Sequence, residues 1–170
     1  MNYRLPLLLT AAMFAVSTSP IIARFLSEVP AVAISFWRMA IGAAILWMWS
    51  SANPQQPLTP RQRNRTILAG IFLGIHFTLF FAAIKLTTIA NATFLGTLAP
   101  VFTFFIEKYF FKRQHTRGMI LGLAVAITGA FIIVANQFDF SSNFTLGNIL
   151  ALLCSLFIAM AFILSENVRK

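Results

Sequence analysis

Six stretches of about twenty residues each, near 5–24, 30–51, 66–86, 89–111, 117–137 and 146–167, carry almost no charge and consist mainly of aliphatic and aromatic side chains. A helix that crosses the hydrocarbon core of a bilayer needs about 20 mostly apolar residues. Polar breaks separate the runs. SSANPQQPLTPRQRNR (50–65) reads as a proline-bearing loop, KRQHTR (112–117) as a short basic turn and QFDFSSNFT (137–145) as a polar turn. FLSEVP (25–30) and KLTTIAN (85–91) mark the two remaining corners. Only 10% of the 170 residues are charged, against about 25% in an average soluble protein. So few charges could not cover the apolar surface of 19 phenylalanines and their neighbours. The expected fold is all-α: a polytopic transmembrane helix bundle of six spans, its first helix retained because no small-x-small cleavage site follows it.

The basic residues give the expected orientation. With the N-terminus inside, the inner segments hold Arg4, Arg61, Arg63, Arg65, Lys108, Lys112, Arg113, Arg117, Arg169 and Lys170, ten of the thirteen Lys and Arg. The outer turns hold Arg24 and Lys85, and Arg38 lies within a span. Six spans then return the C-terminus to the inside. The net charge of +9 has its source in these loops, so no nucleic-acid partner is expected. The expected surroundings are the lipid bilayer, as a multi-pass protein of the cytoplasmic (inner) membrane.

Arg38 interrupts the run ISFWRMAIGAAILWMW (34–49). A helix starting after it would hold only Met39–Ser50, about 18 Å against a core of about 30 Å. The span therefore includes Arg38, about 12 Å from its Pro30 end. A guanidinium there either snorkels outward or faces a watery cavity between helices. Trp37 stacks on it or on a substrate, or simply faces lipid. His76 lies at the centre of its span and suits substrate hydrogen bonding or proton coupling, or a bond to a neighbouring helix. Asn91, Thr93 and Thr97 form a polar-to-small stripe, and Pro100 removes a helix hydrogen bond and can kink its span. Glu107 reads as an interfacial salt-bridged carboxylate. Gly70 with Gly74, and Gly118 with Gly122, are GxxxG patterns that favour close helix approach. Cys154, the one cysteine, reads as a small packing residue. No catalytic constellation, cofactor motif or metal-ligand cluster is present, which argues against an enzyme and towards transport.

The stretch AIKLTTIANATFLGTLAPVFTFF (83–105) resembles the signature of the drug/metabolite transporter superfamily, in its EamA-type branch: an apolar helix end, a short polar turn, then a helix with a proline. ISFWR (34–38) is similar to that family's second helix, RGMILGLAVAITGAFIIV (117–134) to its fifth, and residues 148–170 to the first helix of a second repeat. The Gly-Glu pair that often follows the proline is replaced here by Lys112-Arg113. The resemblance implies a five-helix repeat over 1–137, then an external turn and the first helix of a second, inverted repeat over 138–170. On that reading the sixth helix lacks some of its partners, and either a C-terminal repeat is missing or the chain works as a homodimer. It also implies a secondary carrier of small metabolites, such as amino acids or amphipathic compounds, working by alternating access. Its expected substrate-binding residues are Trp37, Arg38, His76, Asn91 and Thr97. The rival is a non-transporting membrane-interaction protein in which Arg38 and His76 join helices.

Overall fold

The computed structural model describes residues 4–53, 57–114, 116–135, 142–166 and 168, and is all-helical over them. Seven helices follow in order: α1 (Arg4–Phe25), α2 (Ala31–Ala52), α3 (Pro60–Leu86), α4 (Ile89–Gly96), α5 (Ala99–Phe110), α6 (Arg117–Ala135) and α7 (Ser142–Glu166). Among the described residues, five helices are long and apolar enough to cross a membrane: α1, α2, α3, α4 and α5 taken together, and α7. The expectation was six. The remaining helix, α6, has 19 residues and is apolar over Arg117–Gly129.

Two boundaries differ from the sequence reading. Residues 60–65 are helix and not loop, because Thr59 opens a capping box. Its Oγ1 accepts from the Gln62 N–H at 3.3 Å, and Gln62 Oε1 accepts from the Thr59 N–H at 3.0 Å. Pro60 at the first helical position has no N–H to leave unsatisfied. The 27 residues of α3 span about 40 Å, so its basic first turns extend past a core of about 30 Å. The polar turn at 137–145 ends earlier than expected, since α7 is already helical at Ser142; residues 136–141 lie outside the described residues.

The fourth apolar run is two helices. Its ladder breaks at Thr97 and Leu98, where Thr97 N–H reaches both Thr93 O and Phe94 O. Pro100, in the first turn of α5, cannot donate to the Gly96 carbonyl four residues earlier. Ser155 of α7 donates to the Leu95 carbonyl beside this break.

The core gathers where the ends of α1 and α3 meet α4 and the start of α7: Ala23, Phe81, Ala83, Ile84, Ala92, Leu95 and Ala151. α7 packs most extensively on α3, then on α4 and α5, and is the most buried of the five candidate spans. Leu146, Ile149, Leu153 and Phe162 of α7 stay exposed, while its packing on α3 and α4 is close. The cause is a four-residue repeat of small side chains, Gly147, Ala151, Ser155 and Ala159, which lets another backbone approach. A Cβ on Gly147 would stand 2.9 Å from the Thr87 amide nitrogen. The glycines of the two GxxxG patterns face open space and make no such approach.

Arg24 and Lys85 fasten the α1–α2 and α3–α4 corners to each other. Arg24, in the last turn of α1, donates to the Ile84 carbonyl and to the Thr87 carbonyl at 3.1 Å. Lys85, in the last turn of α3, donates to carbonyls of the α1–α2 turn: Ser27 at 2.7 Å, Leu26 at 3.1 Å and Val29. Cations suit carbonyls that helix ends leave unpaired. At the other end of the bundle Arg113 pairs with Glu107 at 2.6 Å and with Glu166 at 3.0 Å, joining the end of α5 to the end of α7. Its hydrogen bonds to Glu166, then that carboxylate's charge, hold the guanidinium pKa above its ordinary value. Because the folded-state pKa is raised, this contribution is complete throughout the physiological range and fades only at extreme alkaline pH.

Candidate functional site

α1, α2, α3 and α4 line a partly open cavity of about 400 Å³. Its polar lining is Ser17 and Ser19 from α1, Arg38 from α2, His76 from α3, Thr93 from α4 and Thr97 at the break after it. Phe77, Phe80, Val16, Ile21 and Ile89 supply apolar walls. The volume lies near the lower end of the range of about 300–1,000 Å³ typical of small-molecule sites.

Arg38 is half-buried, about 10 Å from the N-terminal end of α2. It does not snorkel to the surface. Its Nη1 donates to Ser19 Oγ, and its guanidinium carbon stands 4.5 Å from the centre of the Phe77 ring. The ring's negative face holds one side of the cation, a favourable contact worth about 0.5–2 kcal/mol. A guanidinium has five N–H donors, so most of the fork stays free. None of the three described carboxylates, Glu28, Glu107 and Glu166, lines the cavity.

His76 sits across the cavity, where α3 faces α7. Its Nδ1 lies 2.9 Å from the Cys154 carbonyl oxygen and 3.1 Å from Cys154 Sγ. A carbonyl only accepts, so Nδ1 carries the hydrogen and Nε2 is left for another partner. The imidazole thus joins two helices and also borders the cavity. Its plane is nearly parallel to the Phe80 ring, with centroids 6.3 Å apart.

The expected residues are distributed unevenly. Arg38, His76 and Thr97 come together on the cavity. Trp37 does not line it: one residue along a helix turns the side chain by about 100°, and its indole faces outward, 64% exposed, edge-on to Phe36. Asn91 does not line it either. It lies about 200° around α4 from Thr93 and is fully buried, its Nδ2 3.5 Å from Asn148 Oδ1, an oxygen that also accepts from Thr87 Oγ1 at 2.9 Å. Asn91 Oδ1 is the one buried side-chain polar atom among the described residues without a partner. Thr97 donates its hydroxyl hydrogen to the Phe94 carbonyl at 2.8 Å, which leaves its oxygen to accept. Sequence reasoning missed Ser17, Ser19, Phe77 and Phe80. A signal existed for the serines: Ser17-Thr18-Ser19-Pro20 sets three hydroxyls and a proline inside an apolar span. None existed for the phenylalanines among so many.

Membrane-length helices that surround a small cavity, each contributing polar groups to it, have the build of a carrier for small compounds. Comparison with protein families agrees: the EamA-like transporter family matches residues 4–135, which covers α1 to α6, and the chain belongs to that family. It is a multi-pass membrane protein of a family of transporters. Searches of curated proteins and of solved structures gave no match.

Proposed function

We propose that the protein is a secondary carrier of small metabolites, such as amino acids or amphipathic compounds, in the cytoplasmic (inner) membrane, working by alternating access. The observation that carries this reading is Arg38: a guanidinium with no carboxylate partner among the described residues, on the wall of a cavity within a membrane bundle. A charge at that depth is costly unless water or a ligand reaches it. Arg38 grips the anionic group of the substrate, His76 Nε2 and the Thr97 oxygen orient its polar atoms, and the phenylalanines take its apolar part. Pro100 matters through the Gly96 carbonyl, which it leaves without a helical donor at the cavity wall.

The topology that goes with this reading has six spans with both termini inside, α6 crossing as the fifth. Ten basic residues then lie inside, and the two outer ones, Arg24 and Lys85, are spent on carbonyls. On this reading residues 1–137 form a five-helix repeat, and 138–170 hold the first helix of an inverted one. Reconstitution in liposomes with a panel of metabolites tests the function. Saturable uptake or efflux of a small solute is expected; no flux for any solute, in a protein that inserts normally, would overturn it.

A further inference from the structure

The geometry points to a charge filter: the cavity selects small monocarboxylates with an apolar body and no ammonium group, over zwitterionic amino acids and over amines. This deepens the carrier reading and rests on it.

The argument is charge balance in a small, partly dehydrated space. Among the described residues the cavity wall carries one fixed cation, Arg38, and no carboxylate. A monocarboxylate brings the total to zero. A zwitterionic amino acid leaves one positive charge uncompensated, and an amine leaves two. The acceptors that could receive an ammonium, the Ser19, Thr93 and Thr97 oxygens, His76 Nε2 and the Gly96 carbonyl, are all neutral. They satisfy its hydrogen bonds without cancelling its charge, and Ser19 Oγ already accepts from Arg38. Coulomb interactions grow as the effective dielectric falls, so like charges confined with Arg38 repel far more than in water.

The carboxylate has a fitted partner. Arg38 is steadied from one side by the Phe77 ring and at one nitrogen by Ser19, and its remaining N–H groups suit two parallel hydrogen bonds. A doubly charged phosphate fits less well, because one guanidinium leaves a negative charge against Phe77, Phe80, Val16, Ile21 and Ile89. Those apolar walls take the hydrocarbon part of the ligand.

Three probes with one apolar body separate the charges: 3-phenylpropanoate, L-phenylalanine and 2-phenylethylamine. Calorimetric titration of the full chain in lipid nanodiscs is expected to show the anion binding about tenfold or more tighter than L-phenylalanine, and the amine weakest. Arg38→Gln should abolish the ranking and Arg38→Lys should weaken anion binding while keeping its order. Thr97→Asp, which adds a counter-charge and leaves Arg38 in place, should move the preference towards L-phenylalanine. Equal or tighter binding of L-phenylalanine or the amine overturns the filter, as does a ranking that survives Arg38→Gln, or no binding of any probe. Liposome flux is read separately. Transport of L-phenylalanine without anion preference removes the filter and keeps the carrier; anion binding without flux keeps the filter and removes the carrier.

Discussion

At the scale of single residues, Arg38 decides between a surface anchor and a ligand clamp. Lysine snorkels as well as arginine, so an anchor would tolerate Arg38→Lys. A clamp would not, because an ammonium lacks the planar fork and stacks less well on Phe77. The expected outcome is normal insertion of Arg38→Lys with an initial transport rate about tenfold lower per inserted protein, and a larger loss for Arg38→Ala. Wild-type rates in the lysine variant would return Arg38 to the membrane boundary. That Arg38 was conspicuous, and Ser19 beside it was not, follows from the cost of burial: a charge inside a span demands explanation, whereas a serine can bond back to its own helix unnoticed. The same limit misplaced Asn91. Its polarity was visible, but its direction depended on the register of α4 against α7, which is set by the contact of Gly147 with Thr87.

At the scale of helices, the small-residue patterns divide into those that are used and those that are not. A Cβ at Gly147 would meet the Thr87 nitrogen at 2.9 Å and the Leu86 carbonyl carbon at 3.0 Å, backbone atoms that cannot turn aside. Gly147→Ala should therefore force α7 from the α3–α4 corner and lower stability by about 1–3 kcal/mol. Gly70→Ala and Gly118→Ala meet nothing within 4 Å and replace a poor helix former, so they should be neutral or stabilising by up to about 1 kcal/mol. Thermal unfolding in detergent gives all three. Equal destabilisation by the three would show that the Gly147 contact is not special. Helix positions were legible because hydropathy and proline report them directly. Helix neighbours were not, because GxxxG is common in membrane helices whether or not a partner docks there. The repeat that does dock, from Gly147 to Ala159, mixes Gly, Ala and Ser and so conceals its period.

At the scale of the whole molecule, charge placement predicts the orientation. Reporter fusions at 57, 114 and 170 should read cytoplasmic and one at 142 external. An external reading at 114 would remove the six-span arrangement. Fold class was legible from composition alone, since no soluble packing could cover so much apolar surface. The central position of α7 was not, because it arises from tertiary fit and lies beyond the segment that carries the family likeness.

The reciprocal fastening by Arg24 and Lys85 has a mechanical consequence. From Leu5 to Thr18 every residue of α1 is exposed, and its buried residues, Pro20 and Ala23, lie next to the fastened end. α1 is a rod pinned at one tip. Rotation about that pivot would move the pinned tip hardly at all and sweep the free N-terminal tip through the widest arc, drawing Ser17 and Ser19 away from Arg38 on the way. Spin labels at Leu8 and Leu68 should give a broad distance distribution that narrows with ligand, while labels at Ile22 and Leu146 stay narrow throughout. A door hung this way would open at the N-terminal end of α1, and its hinge is two positive charges that a count of topogenic residues would have treated as noise.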